Sequence, residues 1–340
     1  MYRKYIAITL TVLLSFSSFL EAQIVRRAVF DFGSGSIRIH VADVDTQNTQ
    51  AVHTLYTDSV RVFLSEDLAK QNNKKFSEEI QKVAIDTAKM FKEKALDLNT
   101  TQFYGIATEA YRSALNGEEL VRRYHAELSI PVNIVSKEEE GKFSFLTLAM
   151  QSKVDPNQMI CWDIGGGSIQ VTYLNQEGEL RIYHAPYGRL STKNALLTHV
   201  KNNDHKKEAS FLNPVSLTEW KSYLEFMYSA LPSAPQDLLD KIKDPNVQII
   251  GVAGHPPELA HLGMYQIKHL IEVRDRYLNK SDEELTQDLP FFSAPHAVSD
   301  LILVHAIMEK LGIDKISYFN TRGSSNSMAL LTSEDLWRDK

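Results

Sequence analysis

The chain has a single cysteine, Cys161, among 340 residues. One thiol excludes an internal disulfide and any cysteine-based zinc cluster. Positive charge is not in excess either: 37 Lys and Arg face 43 Asp and Glu, for a net charge of −6. No general basic surface exists to draw in DNA or RNA, so an anionic ligand must meet locally concentrated Arg and Lys. The 11 histidines show no metal-ligand spacing. His255 and His261 would fall on different faces of a helix, and His199 and His205 flank a polar loop. They read as structural or surface residues. Beyond the N-terminal segment, no apolar run approaches membrane-spanning length.

Three familiar glycine motifs are also missing. Gly33 and Gly35 lack the third glycine of a dinucleotide-binding turn and lead into a strand, not a helix. No Gly-Lys-Ser/Thr follows either glycine loop, which excludes a Walker loop. Ser34 and Ser168 lack the Gly-x-Ser-x-Gly strand-to-helix setting of a hydrolase nucleophile.

What is present is a folded composition, 43% apolar and 24% charged, in a chain long enough for two domains. Residues 1–22 read as a bacterial signal peptide: Arg3 and Lys4, the apolar run Ile6 to Leu20, then Leu20-Glu21-Ala22 before Gln23. The alternative is an uncleaved anchor. Cleavage predicts a periplasmic or secreted protein with no stable membrane insertion, and a lone cysteine suits an oxidising compartment.

The most informative feature is a repeat. Val29-Phe30-Asp31-Phe32-Gly33-Ser34-Gly35-Ser36-Ile37-Arg38-Ile39 returns 132 positions later as Cys161-Trp162-Asp163-Ile164-Gly165-Gly166-Gly167-Ser168-Ile169-Gln170-Val171. Each copy is an apolar run, an Asp, a Gly/Ser turn and a run of period two, which a helix cannot use. Helices are expected over Ser77–Leu98, Ala110–Leu128, Lys137–Met150, Ser191–Val200, Thr218–Leu231, Ile267–Leu278 and Ala297–Leu311. Strands are expected within Gln50–Leu64 and over Phe103–Ala107, Pro131–Val135, Leu180–His184, Val247–Val252 and Lys315–Phe319. Ser136 followed by Glu139 is a capping box, and Asp155-Pro156-Asn157 marks a domain boundary. Strands alternating with helices in both halves, each begun by a hairpin, predict an α/β architecture of two related domains.

A Gly-rich turn exposes successive backbone N–H groups without Cβ atoms in the way, which makes a concave anion site. Gly33, Ser34, Gly35 and Ser36 form one such candidate; Gly165, Gly166, Gly167 and Ser168 form the other. Asp31 and Asp163 precede the loops and suit a divalent cation held largely through water. The plainer alternative is two hairpin turns whose Asp satisfies turn amides.

At these loops the chain resembles the actin-like superfamily, and more narrowly the Ppx/GppA family of exopolyphosphatases and guanosine pentaphosphate phosphohydrolases. Ordered motifs carry the resemblance: Phe30 to Arg38, Ala107-Thr108-Glu109-Ala110-Tyr111-Arg112-Ser113-Ala114-Leu115-Asn116, Ser136 to Lys142, and Trp162 to Ser168. Pro186-Tyr187-Gly188, Gly251-Val252-Ala253-Gly254 and Arg322-Gly323 are weaker echoes. The resemblance implies two actin-like (ribonuclease H-like) domains, residues 24–152 and 157–335, with an interdomain cleft. It places the catalytic glutamate at Glu140 and implies Mg²⁺ or Mn²⁺ at Asp31 and Asp163. Its substrates would be short inorganic polyphosphate or guanosine polyphosphate, and the extra helical domain with which larger members grip long polyphosphate is not expected here. A homodimer is allowed. Two departures stand out: Ile169-Gln170 replaces the family's Thr-Glu, whose glutamate is thought to help hold metal or water, and Gly251-Val252-Ala253-Gly254-His255 departs from the adenosine-side motif.

Phosphoanhydride hydrolysis needs screened phosphate oxygens, positive charge and a base for water. Glu140 is the base candidate; the alternative is that Glu138–Glu140 only favour a helix N-terminus, by about 0.3–1 kcal/mol. Arg112 is the expected phosphate clamp, because a planar guanidinium can grip two oxygens. Arg38, Lys142, Arg189 and Arg322 are further candidates for guiding a polyanion. The expected activity is thus metal-dependent release of terminal phosphate. The alternatives are a binding protein that has lost turnover, to which Gln170 points, and phosphotransfer from ATP, which export would separate from the ATP pool.

Overall fold

A computed structural model describes residues 24–203, 211–290 and 293–337. The expected signal peptide lies outside the described residues. Two sheets divide the chain. The first contains β1 (Ile24–Phe32), β2 (Ser36–Asp45), β3 (Gln50–Arg61), β4 (Gln102–Ala107) and β5 (Val132–Ile134), in the order β3-β2-β1-β4-β5. The second contains β6 (Met159–Ile164), β7 (Ile169–Leu174), β8 (Leu180–Ala185), β9 (Gln248–Ala253), β10 (Met264–Gln266) and β11 (Lys315–Tyr318), in the order β10-β11-β9-β6-β7-β8.

The internal repeat has a structural counterpart in register. β1 pairs antiparallel with β2 and parallel with β4, and β6 does the same with β7 and β9. Asp31 faces Arg38 across one hairpin exactly as its counterpart Asp163 faces Gln170 across the other. Two α/β lobes follow, as the alternating pattern predicts.

Helices of the first lobe are α1 (Leu64–Lys70), α2 (Glu78–Asp97), α3 (Glu109–Ser113), α4 (Gly117–Leu128) and α5 (Lys137–Ser152). The helix expected over Ala110–Leu128 is broken in two. Asn116 leaves the helix to bond Phe76, accepting from its N–H at 2.8 Å and donating to its carbonyl at 3.1 Å. Gly117 then passes so close to Tyr111 that a Cβ would lie 2.1 Å from the Tyr111 carbonyl oxygen. The short helix α1 is also absent from the sequence pattern, which reads strand up to Leu64.

The second lobe contributes α6 (Arg189–His199), α7 (Leu217–Ala230), α8 (Gln236–Ile242), α9 (Pro257–Ala260), α10 (Ile267–Tyr277), α11 (Asp282–Leu285), α12 (Ala297–Leu311) and α13 (Ser327–Thr332). α12 is buried along nearly its whole length, at the centre of this lobe's apolar core.

Two elements join the lobes. The capping box starts α5 as its sequence requires, Ser136 N–H donating to Glu139 at 2.8 Å and Glu139 N–H to the Ser136 hydroxyl at 3.1 Å. Farther along, α5 buries Phe145 and Leu148 with Cys161 and Val252 of the second sheet, while Phe143 belongs to an apolar cluster on the first. α13 returns to the first sheet, where Leu330, Leu331 and Trp337 pack with Val29, Tyr104 and Ile106. The sequence pattern places this closing stretch, up to residue 335, with the second domain; the apolar face it buries belongs to the first. Trp337 donates its indole N–H to Leu330 at 2.8 Å and lies under the Arg27 guanidinium, 4.6 Å away. We expect Leu330→Ala to cost about 2–5 kcal/mol in equilibrium urea unfolding, the range for truncating a fully buried leucine. A cost below about 1 kcal/mol would show that the return is ornamental.

Candidate active site

The two glycine turns are built alike. Gly33 N–H donates to Ser36 at 3.0 Å, and Gly165 N–H to Ser168 at 2.9 Å. Each turn's carbonyls are then held by the chain just after its lobe's third strand. In the first, Ser34 and Gly35 accept from Ser65 (2.9 Å) and Val62 (3.2 Å). In the second, Gly165 and Gly166 accept from Arg189 (3.0 Å) and Leu190 (2.8 Å), and the Ser191 hydroxyl donates to Gly167 at 3.0 Å. With the carbonyls occupied, the N–H groups of Ser34, Gly35, Gly166 and Gly167 have no acceptor among the described residues. Four unspent donors beside one cavity form an anion nest.

The turns face and touch each other. A Cβ on Gly166 would lie 3.1 Å from the Ser34 Cβ and 3.8 Å from Gly35 N. Gly167 meets Glu109 as closely, at 2.8 Å from its Cγ. Both turns line a single cleft of about 670 Å³, together with Asp31, Asp163, Glu109 and Glu140. Gly188 is needed for this packing, since a Cβ there would sit 2.4 Å from the Gly165 carbonyl oxygen.

Burial raises the cost of ionising the acids. Glu140, at the first turn of α5, is pushed up to about 7, chiefly by burial; Arg112 opposes the shift, while Asp163 and Asp31 add to it. Asp163 is pushed up to about 6, again mainly by burial, against a hydrogen bond from Ser325. Asp31 accepts from Asn326 at 3.2 Å. The segment just before α13 thus reaches both aspartates.

Arg112 stands differently from the clamp expected of it. It does not line the cleft. One terminal nitrogen donates to Glu140 and to Glu109, both at 2.9 Å, and the other to the Val135 carbonyl at 2.6 Å. Its two terminal nitrogens position Glu140 and Glu109 and hold the Val135 carbonyl, while its buried Nε has no partner among the described residues. Arg38 and Arg189 do line the cleft, whereas Lys142 and Arg322 are exposed outside it. Gln170 is buried outside the cleft and donates its amide to the Ser168 hydroxyl at 2.9 Å. Gly251–Ala253 ends β9, and Ala253, Gly254 and His255 line the cleft. His255 is pushed down to about 4 by burial, packs its ring against Gly251 and bonds the Trp162 carbonyl at 3.1 Å.

Glu109, Arg61, Ser325, Asn326 and His296 also line the cleft. Sequence reasoning did not select them. Glu109 lies inside the Ala107–Asn116 motif, and the other four lie in or beside elements whose pattern carries no sign of chemistry.

No three His, Cys, Asp or Glu side chains among the described residues are placed to hold a metal ion. A protein-only metal cage is therefore not what this cleft offers. Two aspartates beside an anion nest instead suit Mg²⁺ or Mn²⁺, which keep several waters and are completed by substrate phosphates.

Comparison with known proteins agrees with this geometry. A sequence model of the Ppx/GppA phosphatase family matches residues 41–213, just over half of the chain. The chain belongs to the Ppx/GppA phosphatase family. Among curated relatives, a bifunctional 3-dehydroquinate synthase/phosphatase of Fusobacterium nucleatum is 26% identical over 235 residues, covering 67% of this chain and 32% of that protein. Exopolyphosphatase 1 of Mycobacterium bovis is 24% identical over 159 residues, covering 46% and 45%. The chain thus spans less than half the length of these relatives. Among solved structures, the Aquifex aeolicus Ppx/GppA family member superposes with a TM-score of 0.69 at 20% identity, over 93% of this chain and 99% of that one. An exopolyphosphatase from Cytophaga hutchinsonii gives 0.70 at 18% identity, over 91% and 98%. The two-domain actin-like fold is shared with both.

Two expectations follow. Gly188→Ala, on an ordinary negative φ, should preserve the fold yet displace the second turn, read as unchanged far-UV circular dichroism with at least tenfold faster amide exchange at Gly165 and Leu190. For Glu140 the sign runs toward the acid side: a carboxyl raised from 4.5 to about 7 contributes stability below pH 4.5 that is lost as pH rises through 7. Glu140→Gln should therefore raise the melting temperature of the metal-free protein at pH 8, by a stabilisation of about 1–3 kcal/mol, and leave it nearly unchanged at pH 4.5. Equal effects at both pH values would contradict the raised value.

Proposed function

We propose that the protein is an exported, Mg²⁺-dependent phosphohydrolase that releases terminal phosphate from short inorganic polyphosphate or a guanosine polyphosphate. The observation that carries this reading is the convergence of two anion-binding turns, two aspartates and a raised glutamate on one cleft. Export rests on the N-terminal sequence alone.

The unspent N–H groups of Ser34, Gly35, Gly166 and Gly167 bind the oxygens of the terminal phosphate, with Ser36, Ser168 and Arg38 beside them. Mg²⁺ or Mn²⁺, held by Asp31 and Asp163 when bound, would screen phosphate charge against the acids around it. Glu140, as carboxylate, takes a proton from water; the water oxygen forms a bond to the terminal phosphorus as the anhydride P–O bond breaks and the shortened chain leaves. A base with a value near 7 can accept that proton and release it again near neutral pH. Arg112, fixed by Glu109 and the Val135 carbonyl, aims the Glu140 carboxylate. Water-poor surroundings strengthen each of these electrostatic effects.

The replacement at Gln170 favours a second reading, a polyphosphate- or nucleotide-binding protein without turnover. It would appear as binding without phosphate release, with release restored by Gln170→Glu. The buried bond by which Gln170 holds the cleft-lining Ser168 speaks for a supporting role at that position instead.

The test is phosphate release from tripolyphosphate and guanosine pentaphosphate, with Mg²⁺ and with chelator. Glu140→Gln should lower kcat by about 10²–10⁴-fold, the usual contribution of a general base, while binding is retained. Wild-type protein that releases no phosphate from any of these substrates with Mg²⁺ would defeat the hydrolase reading.

A further inference from the structure

The cleft carries a group of side chains that the proposed chemistry leaves unused. Arg61, at the end of β3, and Arg189, at the start of α6, reach the same cavity from opposite lobes, and His296, just before α12, lines it within reach of both charges. Arg189 is anchored from behind by Asp300, at 2.6 Å and 2.8 Å to one carboxylate oxygen. The protein around Arg61, together with the nearby charges of Arg189 and Arg38, holds its guanidinium below the ordinary value. Like charges gathered around a cavity repel one another unless an anion lies between them.

His296 supplies an independent sign. Its ring is buried, yet Nδ1 has no hydrogen-bond partner among the described residues. Nε2 stands 3.8 Å from Glu66, outside hydrogen-bond range. Burial and the charges of Lys193, Arg189 and Arg61 hold the imidazole well below its ordinary value. A buried polar atom without a partner is costly, and His296 carries that cost at the lining of the cleft.

We propose that Arg61, Arg189 and His296 form a second phosphate subsite, which binds the non-reacting phosphates of the chain whose end is hydrolysed at the glycine turns. This inference rests on the phosphohydrolase reading above. These groups line the same cleft as Asp31, Asp163, Glu109 and Glu140, and they adjoin the turns, since Arg189 N–H donates to Gly165 and Val62 N–H, next to Arg61, donates to Gly35. The terminal phosphate goes to the turns and the leaving chain to the cations beside them. Because both lobes contribute, an occupied subsite also ties the lobes together. Recognition by this subsite uses phosphate charge alone, which a linear polyphosphate and a guanosine polyphosphate share.

The test is calorimetric titration of the Glu140→Gln protein with Mg²⁺, using pyrophosphate, tripolyphosphate, tetrapolyphosphate and guanosine pentaphosphate. In this parent, affinity should rise with the number of phosphates. Arg61→Gln and His296→Asn should flatten that rise, weakening the longest chain at least tenfold and pyrophosphate less than threefold. Arg61→Lys should recover part of the loss. Flattening confined to the linear chains, or to the guanosine compound, would assign the subsite to that substrate. An unchanged chain-length dependence in Arg61→Gln, a substitution at an exposed position that does not endanger folding, overturns the subsite and leaves the hydrolase reading standing. A parent that binds none of the four compounds overturns both.

Discussion

Two glycine turns meet across the gap between the lobes, with the Ser34, Glu109 and Leu190 side chains at their contact, and the structure is arranged around it. Gly166 rests on Ser34, and Gly167 rests on Glu109. Any larger residue at these positions would push the turns apart and dilute the donors that make the cavity attractive to an anion. The contact also explains the pinned carbonyls. Peptide groups held on their oxygen side by the start of α1 and of α6 leave their N–H groups unspent on the other. The energetic cost of those unspent donors is borne by folding, and an anion between the turns would offset it.

The acids around the turns carry a similar cost. Glu140 and Asp163 are both held up by burial, to about 7 and about 6, so the metal-free cleft resists full ionisation. Arg112 offsets part of this from behind, bridging Glu140 and Glu109 through one nitrogen. A site in which negative groups are held short of comfortable ionisation is poised to accept positive charge. Arg38, Arg61 and Arg189 bring positive charge to the same cleft. Groups of both signs therefore line one cavity.

Much of this was legible in the chain. The repeat at Asp31 and Asp163 implied two equivalent hairpins, and both appear with the same register. Ser136 and Glu139 fixed the start of α5, and with it the height at which Glu140 enters the cleft. Period-two and period-3.6 patterns located most strands and helices because those elements bury one face against a sheet. The break at Asn116 was not legible, because its cause is a pair of bonds to Phe76 in another segment. Nor was the return of α13, whose apolar residues read equally well against either sheet.

Local order alone accounts for what the sequence by itself determined: two glycine turns, each preceded by an aspartate, a capped helix carrying Glu140, and membership of an α/β class. These depend on neighbours in the chain, whose spacing sets backbone geometry directly. Which groups share the cleft was decided only by tertiary structure. Arg112 turned from an expected clamp on substrate into a support for Glu140, and His296 and Arg61 became neighbours through the closing of two lobes. Charges act through space and burial, and neither is a property of a residue's position along the chain.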